Sequence, residues 1–302
     1  MPTVVLPTPE EFSFDECLRY LGRSTQECLH TVDKSSVTKV IQCNGTPVFL
    51  RVYTTKPTTI TIDYQADLTP EVLAPQVIAY VSDWFDLPTD LRPFYTLARQ
   101  DLALSAAVER HYGLRMIGIA DLFEALCWAI IGQQINLAFA YTLKQRFVQT
   151  FGTHHRYEDH PYYQFPTAEI IATLSAQQLT QLQFSARKAE YIIGIAQAII
   201  SGALSKALLL NLADDEAREV LMEYRGVGTW TANYVLLKCL KRPDAFPAKD
   251  VGLHNALKQS LDLSCKPTLP EVSQYAQSWR GWRGYATFYL WQTLLPKTEA
   301  QD

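Results

Sequence analysis

The chain has 302 residues, 48% of them hydrophobic and 19% charged, which is the balance of a folded protein with a large core in two or three lobes and excludes a disordered one. A formal net charge of −4 weighs against broad phosphate binding, so any nucleic-acid surface has to be built locally. No apolar run reaches the roughly 20 residues that a membrane-spanning helix needs, and the segment from Met1 to Glu11 lacks the basic and apolar parts of a signal peptide, so a cytoplasmic location is expected.

Between Ser36 and Tyr64 three runs are rich in β-branched and aromatic residues: Val37–Ile41, Val48–Tyr53 and Thr58–Ile62. Asn44-Gly45 separates the first two, a hairpin signal because both residues tolerate positive φ. The first hundred residues therefore read as α+β. From about Leu91 the pattern turns helical, with Leu122, Phe123, Leu126, Ile130 and Ile131 on one face and little strand expected afterwards. Gly132-Gln133-Gln134 is a polar break after that apolar helix, expected at a surface or cleft. His154 to His160 holds three histidines. With no helix or strand evident to converge them, it reads as a solvated loop and not as a metal site. Ile192, Ile195 and Ile199 mark a further helix, with Gly202 as its cap. The six cysteines, Cys17, Cys28, Cys43, Cys127, Cys239 and Cys265, include no CxxC pair or cluster. That pattern speaks against zinc or an iron-sulfur centre and for reduced, mostly buried thiols.

The most informative stretch is Leu221 to Tyr234. A helix beginning near Asp214, with Ala217, Val220 and Leu221 on its inner face, leads into it, and a helix carrying Ala232, Val235, Leu236 and Cys239 follows. The Gly226-Val227-Gly228 link makes a tight turn whose backbone a ligand can approach closely. Amides at the following helix N-terminus suit a phosphate, and Thr229 or Thr231 could add a hydroxyl. The same spacing fits an ordinary αα-turn with a glycine cap. A dinucleotide loop fits less well, because no strand precedes the glycines and the third glycine is missing.

Leu221 to Ala232 resembles the helix-hairpin-helix motif of base-excision DNA glycosylases, and Phe246-Pro247-Ala248-Lys249-Asp250-Val251 resembles the loop carrying that superfamily's catalytic aspartate. Asp250 lies 22 residues beyond Gly228, as the family pattern expects. Phe123–Leu143, Phe165–Gly202 and Tyr275–Trp291 are similar to the bacterial inducible 3-methyladenine DNA glycosylase II family, and the likeness covers most of residues 10–295. It implies an α+β fold: an N-terminal antiparallel-sheet domain over 1–98, then a mostly α-helical, two-lobed core. One lobe takes 99–124 plus 243–302 and carries the aspartate; the other takes 125–242 and ends in the helix-hairpin-helix. Two departures stand out. Gln134 occupies the place of a bulky apolar wedge residue, and Lys249 precedes the aspartate where an acidic residue is usual.

The resemblance implies a monofunctional DNA glycosylase that flips alkylated purines of the 3-methyladenine and 7-methylguanine type out of duplex DNA and hydrolyses the N-glycosidic bond in base excision repair. Asp250 would stabilise the cation-like sugar and orient water, although Asp is also an ordinary helix cap. Trp230 stands where the bifunctional branch has its nucleophilic lysine, and an indole cannot form a Schiff base. Gly252 replaces the histidine expected in 8-oxoguanine glycosylases.

Trp291, Tyr234, Trp230 and Tyr20 are the expected base pocket, with aromatic core packing as the alternative; electron-rich faces suit cationic N-alkylpurines. Gly226, Val227, Gly228, Thr229, Thr231 and Lys249 are expected on the DNA. Arg225, Lys238, Lys241, Arg242 and Lys249 would form a local basic face. Gln133 and Gln134 either fill the gap left by the extruded base or simply end a helix. No cofactor is required, but the carbonyls of Met222, Tyr224 and Val227 could hold Na+ or K+. The expected partner is duplex DNA containing alkylated bases, met by a monomer at the nucleoid of a bacterial cytoplasm, with no membrane and no iron-sulfur cluster involved. Competing readings are a related glycosylase for oxidised or mismatched purines and a non-catalytic DNA-binding module. Trp230, Gly252 and the missing cysteine cluster oppose the first, and the retained Asp250 opposes the second.

Overall fold

The computed structural model describes residues 1–67, 69–157 and 159–295. Strands β1 (Thr3–Pro7), β2 (Thr31–Val32), β3 (Ser36–Cys43), β4 (Thr46–Lys56) and β5 (Thr59–Gln65) form one antiparallel sheet in the order β1-β5-β4-β3-β2. Asn44 and Gly45, at φ 51° and 79°, close the β3–β4 hairpin with Cys43 opposite Thr46. Two residues at positive φ match the right-handed twist of the strands they join. Val37, Leu50, Val52, Ile60 and Ile62 are buried from this sheet into a core shared with α1 (Phe14–Leu21) and α2 (Pro70–Trp84).

The remainder is mainly helical: α3 (Arg92–Ala98), α4 (Ser105–Arg110), α5 (Leu122–Gly132), α6 (Leu137–Phe151), α7 (Ala168–Ala172), α8 (Ala176–Thr180), α9 (Ala186–Ile200), α10 (Lys206–Leu210), α11 (Asp214–Met222), α12 (Thr229–Lys238), α13 (Val251–Ser260), α14 (Leu269–Tyr275) and α15 (Arg283–Gln292). The expected apolar face of α5 is buried throughout, behind an Asp121 cap that accepts from the Glu124 amide. Gly202 follows α9 at φ 76°, the left-handed geometry that ends helices. α12 and α15 are buried nearly all round, as helices crossing the middle of a core must be.

One expectation fails. His154 to His160 is not a loop: β6 (His154–Tyr157) and β7 (His160–Tyr163) pair as an antiparallel hairpin, although Glu158 itself lies outside the described residues. The hairpin is held from a distance. Tyr157 stacks on Phe49 of β4 with ring centroids 3.8 Å apart, and Tyr162 meets the same ring edge-on. Aromatic pairs of this kind stabilise strands that local propensity alone would leave unformed.

Helix α1 is the contact that matters for the site. Ser13 caps it by accepting from the Glu16 amide, and Phe14, Cys17, Leu18, Tyr20 and Leu21 are buried. Arg19 Nη2 reaches Gln292 Oε1 on α15 at 3.1 Å, and Lys238 Nζ on α12 donates to the Tyr20 hydroxyl at 3.1 Å. The sheet-bearing segment is thus bonded to both central helices. All six cysteines are free thiols, and Cys17, Cys43, Cys127 and Cys239 are buried.

Candidate active site

Asp250 sits at the N-cap of α13, with φ −70° and ψ 121°. Its carboxylate is held by three donors. Trp230 Nε1 donates to Oδ1 at 2.7 Å, Trp291 Nε1 donates to Oδ2 at 2.8 Å, and the Leu253 amide donates to Oδ2 at 2.6 Å. Capping and site construction are therefore one arrangement: Oδ2 closes the helix while both indoles fix the rotamer. The indoles are donors only, so they aim the carboxylate without competing with it for a proton.

Gly252 makes that approach possible. A Cβ there would lie 2.8 Å from Asp250 Oδ2, closer than real Cβ atoms come, and a tight 3.2 Å from Trp291 Nε1.

The loop from α12 to Asp250 is tied at both ends to α15. Asp244 Oδ1 accepts from the Gly281 amide at 2.9 Å and from Arg283 Nε at 2.8 Å, and Arg283 Nη2 completes a bidentate pair. Partial burial raises the Asp244 carboxyl, but the bonds from Arg283 outweigh it and leave the group below its ordinary range. The Gly284 and Tyr285 amides both donate to the Pro243 carbonyl. Gly284 has to be small, since a Cβ would meet Ala245 O and Pro243 O at 2.8 Å. At the far end His254 faces the Ala248 carbonyl with Nε2 and the Pro267 carbonyl with Nδ1. One helix thus sets both the start of the loop and, through Trp291, its functional end.

Trp230 and Tyr234 stack at 5.5 Å and 24°, and Tyr234 lies 6.4 Å from Trp291. Three of the four expected pocket aromatics therefore gather around Asp250. The fourth, Tyr20, is 8% exposed and meets the Phe288 ring edge-on at 5.0 Å. It lines a cavity of about 50 Å³ shared with Tyr234, Arg23, Trp128, Tyr141 and Lys238, so it belongs to the floor behind Tyr234. Arg23 lies 3.9 Å over the Tyr20 ring. Burial raises the Tyr20 phenol, and the Arg23 and Lys238 charges more than reverse this. Sequence reasoning missed Arg23 and Trp128, which carry no signal outside the fold.

The hairpin joins α11 to α12. Gly226 has φ 88°, and a Cβ on it would lie 2.3 Å from the Tyr191 ring of α9, so both conformation and space demand glycine. Nothing lies within 4 Å of a Cβ on Gly228, which leaves open room at the N-terminus of α12. The first bond into that helix runs from the Ala232 amide to Gly228 O, and the amides ahead of it are free for an anion.

Several residues expected on the DNA are buried or bonded within the protein. Gln133 Nε2 donates to Gly226 O at 2.8 Å and to Thr231 Oγ1 at 3.0 Å. It ties α5 to the hairpin. Thr231 is 2% exposed, so its hydroxyl is a fixture of the hairpin and cannot reach a phosphate. Val227 is buried as well. Thr229 and Gln134 are exposed, and Gln134 holds φ 56°, a left-handed conformation that costs energy outside glycine and clusters at functional sites. Lys188, unforeseen, braces that turn by donating to the Ile131 and Gln133 carbonyls, both at 2.8 Å.

The basic face is also smaller than expected. Lys238 is 2% exposed, Lys241 donates inward to Met116 O, and Arg242 pairs with Asp214. Burial lowers Lys241 to about 8. Arg225 and Lys249 are left exposed, with Glu190 3.6 Å from Arg225. Among the described residues no helix is long and apolar enough to cross a membrane.

Residues 4–126 match the N-terminal domain of 8-oxoguanine DNA glycosylase. A Bacillus subtilis DNA-3-methyladenine glycosylase is 41% identical over 96% of this chain and 97% of its own length. The Escherichia coli DNA-3-methyladenine glycosylase 2 is 31% identical over 78% of this chain and 77% of its own. Among solved structures, the 3-methyladenine DNA-glycosylase from Archaeoglobus fulgidus superposes with a TM-score of 0.83 at 23% identity, covering 96% of this chain and 97% of that one. Residues 127–280, which hold the hairpin and Asp250, match the HhH-GPD superfamily of base excision DNA repair proteins, and the chain belongs to that superfamily.

Proposed function

We infer that this chain is an alkylpurine DNA glycosylase that excises bases of the 3-methyladenine and 7-methylguanine type from duplex DNA by hydrolysing the N-glycosidic bond. The observation that carries the reading is the Asp250 carboxylate, bracketed by two indole N–H donors beside the Tyr234 ring. As the base departs, the sugar becomes cation-like, and a fixed carboxylate beside it stabilises that charge and orients the attacking water. Trp230, Tyr234 and Trp291 offer faces to a flipped N-alkylpurine cation, a contact of about 0.5–2 kcal/mol. Trp230 donates to Asp250 and offers no amine for a covalent sugar adduct, so the product is an intact abasic site.

DNA is held by the amides at the start of α12, by Thr229 and by Lys249, and the exposed, left-handed Gln134 enters the duplex. The Met222 and Val227 carbonyls accept no hydrogen bond among the described residues, while that of Tyr224 accepts from the Val227 amide. Main-chain carbonyls suit Na+ or K+ over a metal that prefers charged side chains. The enzyme acts as a cytoplasmic, nucleoid-associated monomer.

The test is base release. Purified protein incubated with alkylated duplex should release 3-methyladenine, with strands staying whole until alkali is added. Strand cleavage without alkali, or an adduct trapped by borohydride, counts against the monofunctional reading. Absence of any released base counts against the whole assignment.

A further inference from the structure

Trp230, Tyr234 and Lys238 recur every fourth residue of α12, so they follow one face in steps of about 6 Å. Phe288 and Trp291 share a face of α15 in the same way. Both helices present an indole to Asp250, and both lead away from it to one place. There Lys238 Nζ lies 4.9 Å from the Phe288 ring centroid and donates to the Tyr20 hydroxyl. The cavity behind Tyr234 lies at this far end.

Lys238 is 2% exposed. Its polar partners are a phenol and the Met116 sulfur at 3.8 Å, and among the described residues no carboxylate lies within ion-pair distance of it or of Arg23. Glu27, which lines the same cavity, is taken by Lys144 at 2.9 Å. Burial lowers the Lys238 ammonium, partly offset by Tyr20, and keeping it buried without an acid costs stability that an apolar residue would not.

Excision moves charge in one direction. The C1′–N bond breaks heterolytically, its electron pair leaves with the base nitrogen, and the sugar is left cationic until a water oxygen bonds to C1′ and releases a proton. The charge on the base falls by one unit, from cation to neutral for an N-alkylpurine. We propose that Lys238, with Arg23 beside it, is a fixed positive floor at the base end of the pocket that works with Asp250 at the sugar end to favour this transfer. A cation behind the base and an anion beside the sugar both stabilise the transition state relative to the bound substrate. The same floor repels an alkylpurine cation before reaction, so it raises turnover and does not tighten binding.

The proposal rests on the glycosylase reading, and the experiment separates the two. Single-turnover excision of 7-methylguanine from a duplex is measured for the wild-type chain, Lys238→Met and Lys238→Arg over a range of enzyme concentrations. Lys238→Met keeps the apolar stem and should lower the maximal rate at least about tenfold, with half-saturation unchanged or at lower enzyme concentration. Lys238→Arg should recover most of the rate. A Lys238→Met rate within twofold of wild type overturns the proposal, as does a slower rate with weaker half-saturation that Lys238→Arg does not restore, the pattern of a packing defect. If Lys238→Met fails to fold by circular dichroism, Arg23→Gln carries the same test, with at least a threefold fall expected and an unchanged rate overturning the idea. Wild-type protein that releases no base defeats the glycosylase reading, and this proposal with it.

Discussion

Asp250 caps α13 and is the proposed catalytic carboxylate; the two jobs have different chemical requirements, and substitutions can separate them. Asn caps a helix about as well as Asp, and its amide oxygen can still take a bond from one indole. Asp250→Asn should therefore leave the melting temperature within about 1 °C and DNA affinity within about threefold, yet lose at least about a hundredfold in excision rate, the scale for removing one preorganised electrostatic group. Near-normal excision by this variant would sink the carboxylate's assignment. Asp250→Ala should lose a further ~1 kcal/mol of stability with the cap. Gly252→Ala probes the same geometry from outside, because its Cβ would press on Asp250 Oδ2 and the Trp291 ring. Its excision rate should fall at least about tenfold with little change in melting temperature, and unchanged excision would mean that the indole brackets are dispensable.

At the scale of elements, the α11–α12 hairpin depends on a glycine that neither strain nor space allows to change. Gly226→Ala would place a methyl group inside the Tyr191 ring at a residue with φ 88°. A loss of about 2–4 kcal/mol is expected, since overpacking and a positive-φ penalty add, together with weaker DNA binding. A melting temperature within 1 °C of wild type would contradict this account.

What could be read from sequence follows the range of the interactions involved. The Asn44-Gly45 turn, the helix beginning at Asp214 and the distance from hairpin to Asp250 rest on neighbours in sequence, and all were legible. The β6–β7 hairpin rests on Tyr157 stacking on Phe49, more than a hundred residues away, and was not. Charges misled for the same reason: the spacing of Lys238, Lys241 and Arg242 looks like a solvated basic face, but Lys238 lies on α12, which is buried nearly all round, Lys241 beyond it donates to Met116 O, and Arg242 pairs with Asp214. The bonds from Gln133 to Gly226 and Thr231 could not be read either, because those partners lie more than ninety residues away in sequence.

For the whole molecule, a net charge of −4 combined with inward-turned lysines implies that DNA is held more by backbone amides than by side-chain cations. Counterion release then contributes little. The slope of log K against log salt for a nonspecific duplex should be shallow, about −2 to −4; a slope near −8 would require a basic face that the structure does not present.

Acid should loosen the junction between the sheet-bearing segment and the helices. Burial lowers His30 to about 4, and its Nε2 bonds to the Leu21 carbonyl, so it is held neutral. Glu27, against the raising effect of burial, is pulled well below the ordinary carboxylate range by Lys144. Both folded values lie below the unfolded ones, so the unfolded chain binds more protons and stability falls as the pH is lowered. The His30 contribution is fully present above about pH 6.5 and is lost toward pH 4, and the Glu27 contribution begins to go below about pH 4.5. The melting temperature should therefore fall by several degrees between pH 7 and pH 5. His30→Gln, which keeps a donor for Leu21 but takes no proton, should flatten that interval. A wild-type melting curve already flat from pH 7 to 5, or a His30→Gln curve as steep as wild type, would show that the buried imidazole does not set the acid edge.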